Sequence, residues 1–542
     1  MRIFALFLAL LMLPSAARAD WLEASSEHFV VYADDSEKDI ERFSRQLESY
    51  HKAMELVTGV ETGTPSPSNR VTVFVVRNER EVRRLFGEGG RNVGGFYIPR
   101  AGGSLAIIPS VRARSRDIHY SMIVLLHEYA HHFLISNSRI PQPRWVSEGG
   151  AEFFASAEFE RDGGMSLGRP AAHRAGELWY AREVRAEELL DPNTYEKRRT
   201  GRYDAFYGKS WLLYHYLTFE EERSGQLREY LVELAQGQGS REAAEAVFGD
   251  FGELDDELER YMRQPRMLSM VFRAEQVASG PVTVRRLREG EAEMMPVRIR
   301  SRRGVTTEQA AELLVDAREV AAEYPDDPAV LAALAEAEYD AGNDAEAIAA
   351  ADKALALDPA QTNAYVQKGY ALFRRAAEAD DRAAAYREAI GPFVELNRIE
   401  NDHPLPLVYF HRSFVERGAE PSELAQHGLE RAAELAPFDL GLRFSVAIQH
   451  LQGRRAAQAR SDLVPIAYNP HGGEMAPLAQ AMIEALDSAA DSDAAAGTGA
   501  ALHLLAAAGQ AEALASAPGA GGMEAGEDAT EPTGAGEGES AE

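Results

Sequence analysis

The sequence predicts two folded units in series, an α+β domain followed by an all-α domain of repeated helices, and three observations carry that reading. The chain has 542 residues, well past the roughly 100–200 of a typical domain. Its early part alternates short β-rich runs with Gly, Pro and Asn clusters, after which the pattern becomes helical. From about Thr306 the composition turns alanine-rich, and two proline-bearing turns, at Pro325 and Pro359, stand 34 residues apart.

Composition narrows the chemistry. With 45% hydrophobic and 26% charged residues, the chain has enough apolar material for real cores. The net charge of −29, from 86 acidic and 57 basic side chains, argues against nucleic acid and anionic membrane surfaces as partners. There is no cysteine, which excludes disulfide scaffolds, thiol nucleophiles, iron–sulfur clusters and Cys-based zinc modules. Any metal must sit on histidine and carboxylate.

Met1-Arg2, an apolar run from Ile3 to Leu13, Pro14 and the small-residue site Ala17-Arg18-Ala19 read as a signal peptide over 1–19. The run is about half the ~20 residues a spanning helix needs, and without cysteine the bacterial lipoprotein route is closed. The expectation is an exported protein without a stable membrane anchor, in a bacterial periplasm or secreted. Strand-like runs follow at 29–32, 71–76, 95–98 and 105–108, with a helix over about 36–57 between the first two. From 118 to about 262 the signals are mainly helical, so 20–265 is predicted as one α+β domain. Residues 266–303, including Pro281-Val282-Thr283-Val284 and Pro296-Val297-Arg298-Ile299, read as a linker or small hairpin. A helical domain is predicted over 304–485. Beyond Arg460 there is no Lys or Arg, and 486–542 reads as an acidic low-complexity tail, expected to be disordered.

The segment that carries chemistry is His127-Glu128-Tyr129-Ala130-His131. On a helix His127 and His131 share a face and can reach one metal ion, while Glu128 lies about 100° around, near a bound water. A chance H-E-x-x-H is expected roughly 0.04 times in a chain of this length and composition. Downstream, Pro141-Gln142-Pro143-Arg144 leads into a second helix start at Trp145-Val146-Ser147-Glu148, with Ser147 as candidate N-cap. Glu148 in its first turn would complete a His, His, Glu set with one open position; Glu187, Glu188 or Glu196 are the alternatives. Gly149 and Gly150 weaken such a helix by up to about 1 kcal/mol each, which points to close backbone approach, for instance to the first helix. His132 points away from the metal face, and His119, His173 and His215 read as ordinary polar or helix-surface residues. The aromatic run from Trp211 to Tyr216 reads as core.

His127-Glu128-x-x-His131 followed by Trp145-x-x-Glu148-Gly149-x-Ala151-Glu152 resembles the gluzincin metallopeptidases, above all their bacterial peptidase MA-like members. The resemblance implies a zincin-like catalytic domain and one zinc ion per chain, with Glu148 as third ligand and Glu152 supporting a ligand histidine. It also implies an edge strand, 95–99 or 104–108, that aligns an extended peptide. A Tyr ahead of a later helix would donate to the oxyanion; Tyr207 suits that place better than Tyr203. Asp204 lies too far from His131 for the aspartate-ligand relatives. Between the two prolines, Leu331, Leu334, Ala335, Tyr339, Gly342, Ala347, Ala354 and Leu355 resemble a tetratricopeptide repeat. A second unit begins near Tyr365, with Gly369 and Ala371 in phase, and a third ends near Ala436-Pro437. Such repeats imply a concave face that binds a substrate or partner protein.

The predicted function is therefore an exported zinc metallopeptidase that hydrolyses peptide bonds with Glu128 as general base. The alternative is a non-catalytic exported scaffold or chaperone that combines a zincin-like domain with tetratricopeptide repeats. Glu128 separates them, because a structural zinc site needs no general base.

Overall fold

The computed structural model describes residues 20–87, 93–109, 120–138, 140–199, 202–469, 473–490 and 494–507. The signal-peptide reading over 1–19 and His119 lie outside these residues.

The first lobe is built on β1 (Leu22–Ser25), β2 (Phe29–Ala33), β3 (Val71–Val75), β4 (Phe96–Ile98) and β5 (Leu105–Ile108). With a later strand, β9, they form a six-stranded sheet in the order β4-β5-β3-β2-β1-β9. β2, β3 and β5 run parallel to their neighbours within this group, and β4 is antiparallel at the edge. Because β5 is paired on both sides, only β4 of the two predicted candidates is an edge strand. Alternation along β2 feeds both faces: Phe29, Val31 and Ala33 enter one core, Val30 and Tyr32 the other.

The first face is covered by α1 (Glu37–Thr58), whose Ile40, Phe43, Leu47, Tyr50 and Met54 recur at helical spacing and are all buried. Ser36 caps it by accepting from Asp39 N, and Gly59 closes it at φ 70°. On the other face lies α2 (Glu79–Phe86). α3 (Tyr120–Asn137) packs behind α1, with Tyr50 Oη donating to Leu126 O at 3.0 Å. α4 (Arg144–Ala155) follows, then β6 (Glu158–Phe159) and β7 (Met165–Leu167) of a second, three-stranded antiparallel sheet. The lobe is completed by α5 (Ala175–Tyr180), α6 (Ala186–Leu190), α7 (Pro192–Arg198), α8 (Phe206–Phe219), α9 (Gln226–Ala235), α10 (Ser240–Phe248) and α11 (Phe251–Met262). The aromatic run of α8 is core, with Trp211, His215 and Tyr216 buried.

Residues 266–303 are neither a linker nor a hairpin. β8 (Met270–Phe272) joins the small sheet beside β7, while β9 (Thr283–Arg286) pairs with β1 in the large one. Pro296 to Ile299, with strand-favouring Val297 and Ile299 and a helix-breaking Pro296, lie inside α12 (Glu289–Arg303). Burial at helical spacing explains this: Met295 and Ile299 cover the outer face of the large sheet, and Met294 and Val297 face the helical region.

The second region is all-helical: α13 (Thr307–Glu323), α14 (Pro328–Asp340), α15 (Asp344–Leu357), α16 (Thr362–Ala377), α17 (Arg382–Ala389), α18 (Gly391–Ile399), α19 (Pro404–Val415), α20 (Glu423–Leu435), α21 (Leu440–Gln452), α22 (Ala456–Ala467), α23 (Met475–Ala490) and α24 (Ala494–Ala507). Small residues set the close packing of α14, α15 and α16, through Ala332, Ala335, Ala350, Ala351, Ala354 and Ala364. A Cβ at Gly369 would lie 2.4 Å from the Phe393 ring, so glycine is what lets α16 approach α18. Part of the expected disordered tail is structured: Ala501 and Leu505 of α24, four apart, are buried on Leu463 and Met482. No helix among the described residues is long and apolar enough to cross a membrane.

The turn between β4 and β5 and the segment just before β3 dock on the helical region. Ala101 N donates to Asp439 Oδ2 at 2.9 Å, Ser68 N and Oγ donate to Glu400 at 2.9 and 2.8 Å, and Asn69 Nδ2 donates to Leu435 O at 2.6 Å. Phe438 packs against His132 of α3 with ring centroids 4.3 Å apart and the planes tilted by 37°.

Candidate metal centre

α3 is held by its apolar face, with Leu125, Leu126, Tyr129, Ala130 and Phe133 buried in the main core. That leaves His127 and His131 together on the face that meets α4. α4 starts at Arg144, with Pro143 at its N-cap, so Ser147 lies inside the helix rather than capping it. Its glycines are contact residues. A Cβ on Gly149 would lie 2.5 Å from Ser210 O of α8, while one on Gly150 would meet Leu134 of α3 and Tyr214 at 3.3 Å. The tighter approach is thus to α8, not to α3.

Three donor atoms converge. His127 Nε2 and His131 Nε2 are 3.1 Å apart, and Glu148 Oε2 lies 3.4 Å from the first and 3.3 Å from the second. These are the residues among those described that meet as a metal-ligand group. A tetrahedral zinc ion with bonds of about 2.0–2.1 Å requires ligand atoms about 3.3–3.4 Å apart, so the donor set fits such an ion.

The far side of each imidazole is also held. His127 Nδ1 lies 3.1 Å from Glu152 Oε1, and His131 Nδ1 lies 3.2 Å from Ser147 Oγ. Each contact leaves Nε2 aimed at the common point. Glu152 is almost fully buried and has two more partners, Arg174 Nη2 at 2.6 Å and His173 Nε2 at 2.5 Å. Burial alone would raise its carboxyl, but Arg174, His173 and His127 outweigh it and hold the group well below the usual carboxylate range. For His127 burial works downward and is outweighed by Glu148 and Glu152, so without metal the imidazole is pushed up to about 10. His131 goes the other way, lowered chiefly by burial. To hold a metal ion, His127 Nε2 would have to be free of its proton.

Glu128 stands outside the donor triangle and is partly buried. Its charge acts on Tyr97 of the edge strand β4, whose phenol is raised mainly by burial and further by Glu128. Tyr97 Oη and His132 Nδ1 lie 2.6 Å apart. Tyr207, at the start of α8, sits beneath Arg174, the guanidinium 4.7 Å from its ring centre, and accepts from Arg144 Nη2 at 3.4 Å. It is thereby tied to the arginine that holds Glu152. Tyr203 is half-exposed and donates to Glu177 at 3.3 Å.

The alternative ligands are engaged elsewhere. Glu187 pairs with Arg198 and Arg241, Glu188 with Arg182, and Glu196 lies near Arg199 on the surface. Asp204 binds Arg182 and Tyr195. Two histidines differ from expectation. His173 is no surface residue but a partner of Glu152, and His215 is fully buried between Tyr261 Oη and the Gly168 and Leu268 carbonyls. His173 and Arg174 were not legible as site residues, since no local motif surrounds them, and Ser147, beside Glu148 in the motif, read as a helix cap rather than as a partner of His131.

A family model described as "Protein of unknown function (DUF1570)" matches residues 122–238, a span that contains His127, Glu128, His131, Glu148, Glu152 and Tyr207. No curated protein matches the chain. Among solved structures, a thermophilic TPR protein from Thermus thermophilus is similar at 17% identity and a TM-score of 0.30, covering 35% of this chain and 97% of that one.

Proposed function

We propose that the chain is an exported zinc metallopeptidase of the gluzincin type, with a zincin-like domain of β-sheet, α3, α4 and α8, and tetratricopeptide-like repeats that engage substrate or a partner protein. The observation that carries this reading is the triangle of His127 Nε2, His131 Nε2 and Glu148 Oε2 with sides of 3.1–3.4 Å, each histidine braced at Nδ1. When bound there, zinc would acidify a water and polarise the carbonyl of the bond to be cut. Glu128, beside the triangle but not part of it, takes the proton of the attacking water and passes it to the leaving amine as the C–N bond breaks. Glu152 and Ser147 fix the imidazole rings. Tyr207, held by Arg144 and Arg174, is the candidate donor to the oxyanion. β4, at one end of the sheet among the described residues and packed beside α3, would offer backbone groups to an extended peptide.

The test pairs metal content with turnover. The mature chain, residues 20–542, should bind about one zinc, and His131→Ala and Glu148→Ala should lose most of it. Glu128→Gln should keep the metal and lose hydrolysis of a peptide library by about 100-fold or more. Native protein that binds no zinc when supplied with it would sink the reading. Equal turnover in native and Glu128→Gln protein would instead favour the non-catalytic scaffold.

A further inference from the structure

Helix pairs stacked in series set their first helices in a row, and the surface of that row is where such arrays bind other chain segments. Here α14 pairs with α15, α19 with α20 and α21 with α22, while α16 packs on α17 and α18. Tyr339, Tyr370 and Tyr409 join α14, α16 and α19, with ring centroids 5.6 and 5.2 Å apart. The row is not vacant. Arg100, Ala101 and Gly102 of the β4–β5 turn line one cavity with Glu336 of α14, Gln367 of α16, Leu405 of α19 and Asp439, the N-cap of α21.

The seat is fitted to this turn. Gly102 has φ 75°, its N–H goes to Asn69 Oδ1 at 3.2 Å, and an added Cβ would lie 3.0 Å from both His403 and Leu405. Any side chain there would push the turn off α19. Ala101 packs against the clusters that hold Leu405 and Tyr409 on one side and Leu442 and Phe438 on the other. Its N–H and that of Leu442 divide the two oxygens of Asp439, each at 2.9 Å. The charges are balanced within the contact: Arg302 pairs with Glu336 at 3.2 Å, and Glu336 and Asp340 act on the buried Arg100.

The same corner reaches the metal helix. Phe438, next to Asp439, packs against His132, whose Nδ1 lies 2.6 Å from Oη of Tyr97 at the middle of β4. β4 is thus held twice from the α20–α21 corner, by Asp439 at the turn that leaves it and by Phe438 through α3. Its sheet pairing is slight, three residues against β5, and an edge strand of that length opens readily without outside support.

We propose that the row of first helices is a receptor for the chain's own β4–β5 turn, and that the α20–α21 corner clamps β4 against the metal helix. Phe438 and Asp439 are positioning residues, acting through β4 and not on the metal. This deepens the role of the repeats by naming the partner they engage as a segment of the same chain. The clamp stands on its own, whereas its consequence, the alignment of a peptide on β4, rests on the metallopeptidase reading.

Hydrogen exchange of the full-length mature chain, read by mass spectrometry over residues 96–103, tests the clamp. Asp439→Asn leaves a residue that caps as well as aspartate, but its one carbonyl oxygen cannot serve both Ala101 and Leu442. Tyr97→Phe removes only the hydroxyl that faces His132. Each should speed exchange over 96–103 about three- to tenfold, and Gly102→Val, which unseats the turn, by about tenfold or more. Amides of β2, β3 and α22 should exchange as in native protein, and zinc content should not change. With an extended peptide as substrate, KM should rise about threefold or more in these variants while kcat stays near the native value. Unchanged exchange over 96–103 in both Asp439→Asn and Tyr97→Phe would overturn the clamp, as would acceleration spread evenly along the chain, which marks a general loss of stability. Faster local exchange with an unchanged KM would overturn the alignment role. If native protein binds no zinc and cleaves no peptide, the metallopeptidase reading falls and the alignment role with it, while exchange still decides the clamp.

Discussion

Replacing Gly149 by alanine sets two effects of opposite sign against each other. Helix propensity favours the change by about 1 kcal/mol in a helix interior. Packing opposes it, because the new Cβ would sit 2.5 Å from Ser210 O and 2.8 Å from Ser210 C, both backbone atoms of α8. Neither atom can rotate away, so α4 and α8 must separate by several tenths of an ångström or more, and overpacking of this kind costs about 1–3 kcal/mol. Packing against rigid backbone should win, with a net loss of up to about 2 kcal/mol. Gly428 provides the internal control. It lies in α20, where the nearest atoms to an added Cβ are Leu407 O at 3.8 Å and Leu407 Cβ at 4.0 Å, so Gly428→Ala should stabilise by about 0.5–1 kcal/mol. Urea denaturation of the two variants against native protein reads both signs. Since Glu148 precedes Gly149 on the same turn, Gly149→Ala should also weaken zinc retention against a chelator, whereas Gly428→Ala should leave it unchanged. A Gly149→Ala protein more stable than native would refute the close-approach argument.

Two further outcomes follow from the electrostatics. Glu152→Gln keeps the size of the side chain but removes the charge that holds His127 Nδ1, and metal affinity should fall about 10–100-fold, measured by competition with a chromophoric chelator. Asp340, bonded to Ser301 and raised to about 7 chiefly by burial and by Glu336, binds its proton more tightly folded than unfolded. Its ionisation therefore costs stability as pH rises from near 4 through 7. Asp340→Asn should raise the denaturation midpoint relative to native at pH 8 and leave the difference near zero at pH 4; a larger gain at pH 4 would contradict the assigned shift.

How much was legible depended on sequence distance. His127 and His131 share a face because any helix places i and i+4 together, so that pair needed no tertiary information. Glu148 was one of several carboxylates at workable spacing. Only the seating of α4 against α3 and α8 separates it from Glu187, Glu188 and Glu196, which other arginines occupy. His173 and Arg174 reach Glu152 from a single 3-10 turn about twenty residues on, and no periodicity marks such a contact. Residues 266–303 misled because Val and Ile favour strands and Pro disfavours a helix interior, whereas burial of Met295 and Ile299 against the sheet decides for helix.

By itself, then, the sequence determined the succession of an α+β region and an all-helical region, the main strands, the alanine-rich repeat and the paired histidines. All of these arise from periodicity or spacing within a few turns of chain. Tertiary structure alone decided which carboxylate meets the histidines, that β4 and not β5 is the edge, and that the β4–β5 turn enters the helical region with Arg100 at its tip. Those outcomes rest on contacts between segments up to hundreds of residues apart. They are selected by burial, close packing and charge pairing, which act only once the chain has folded back on itself.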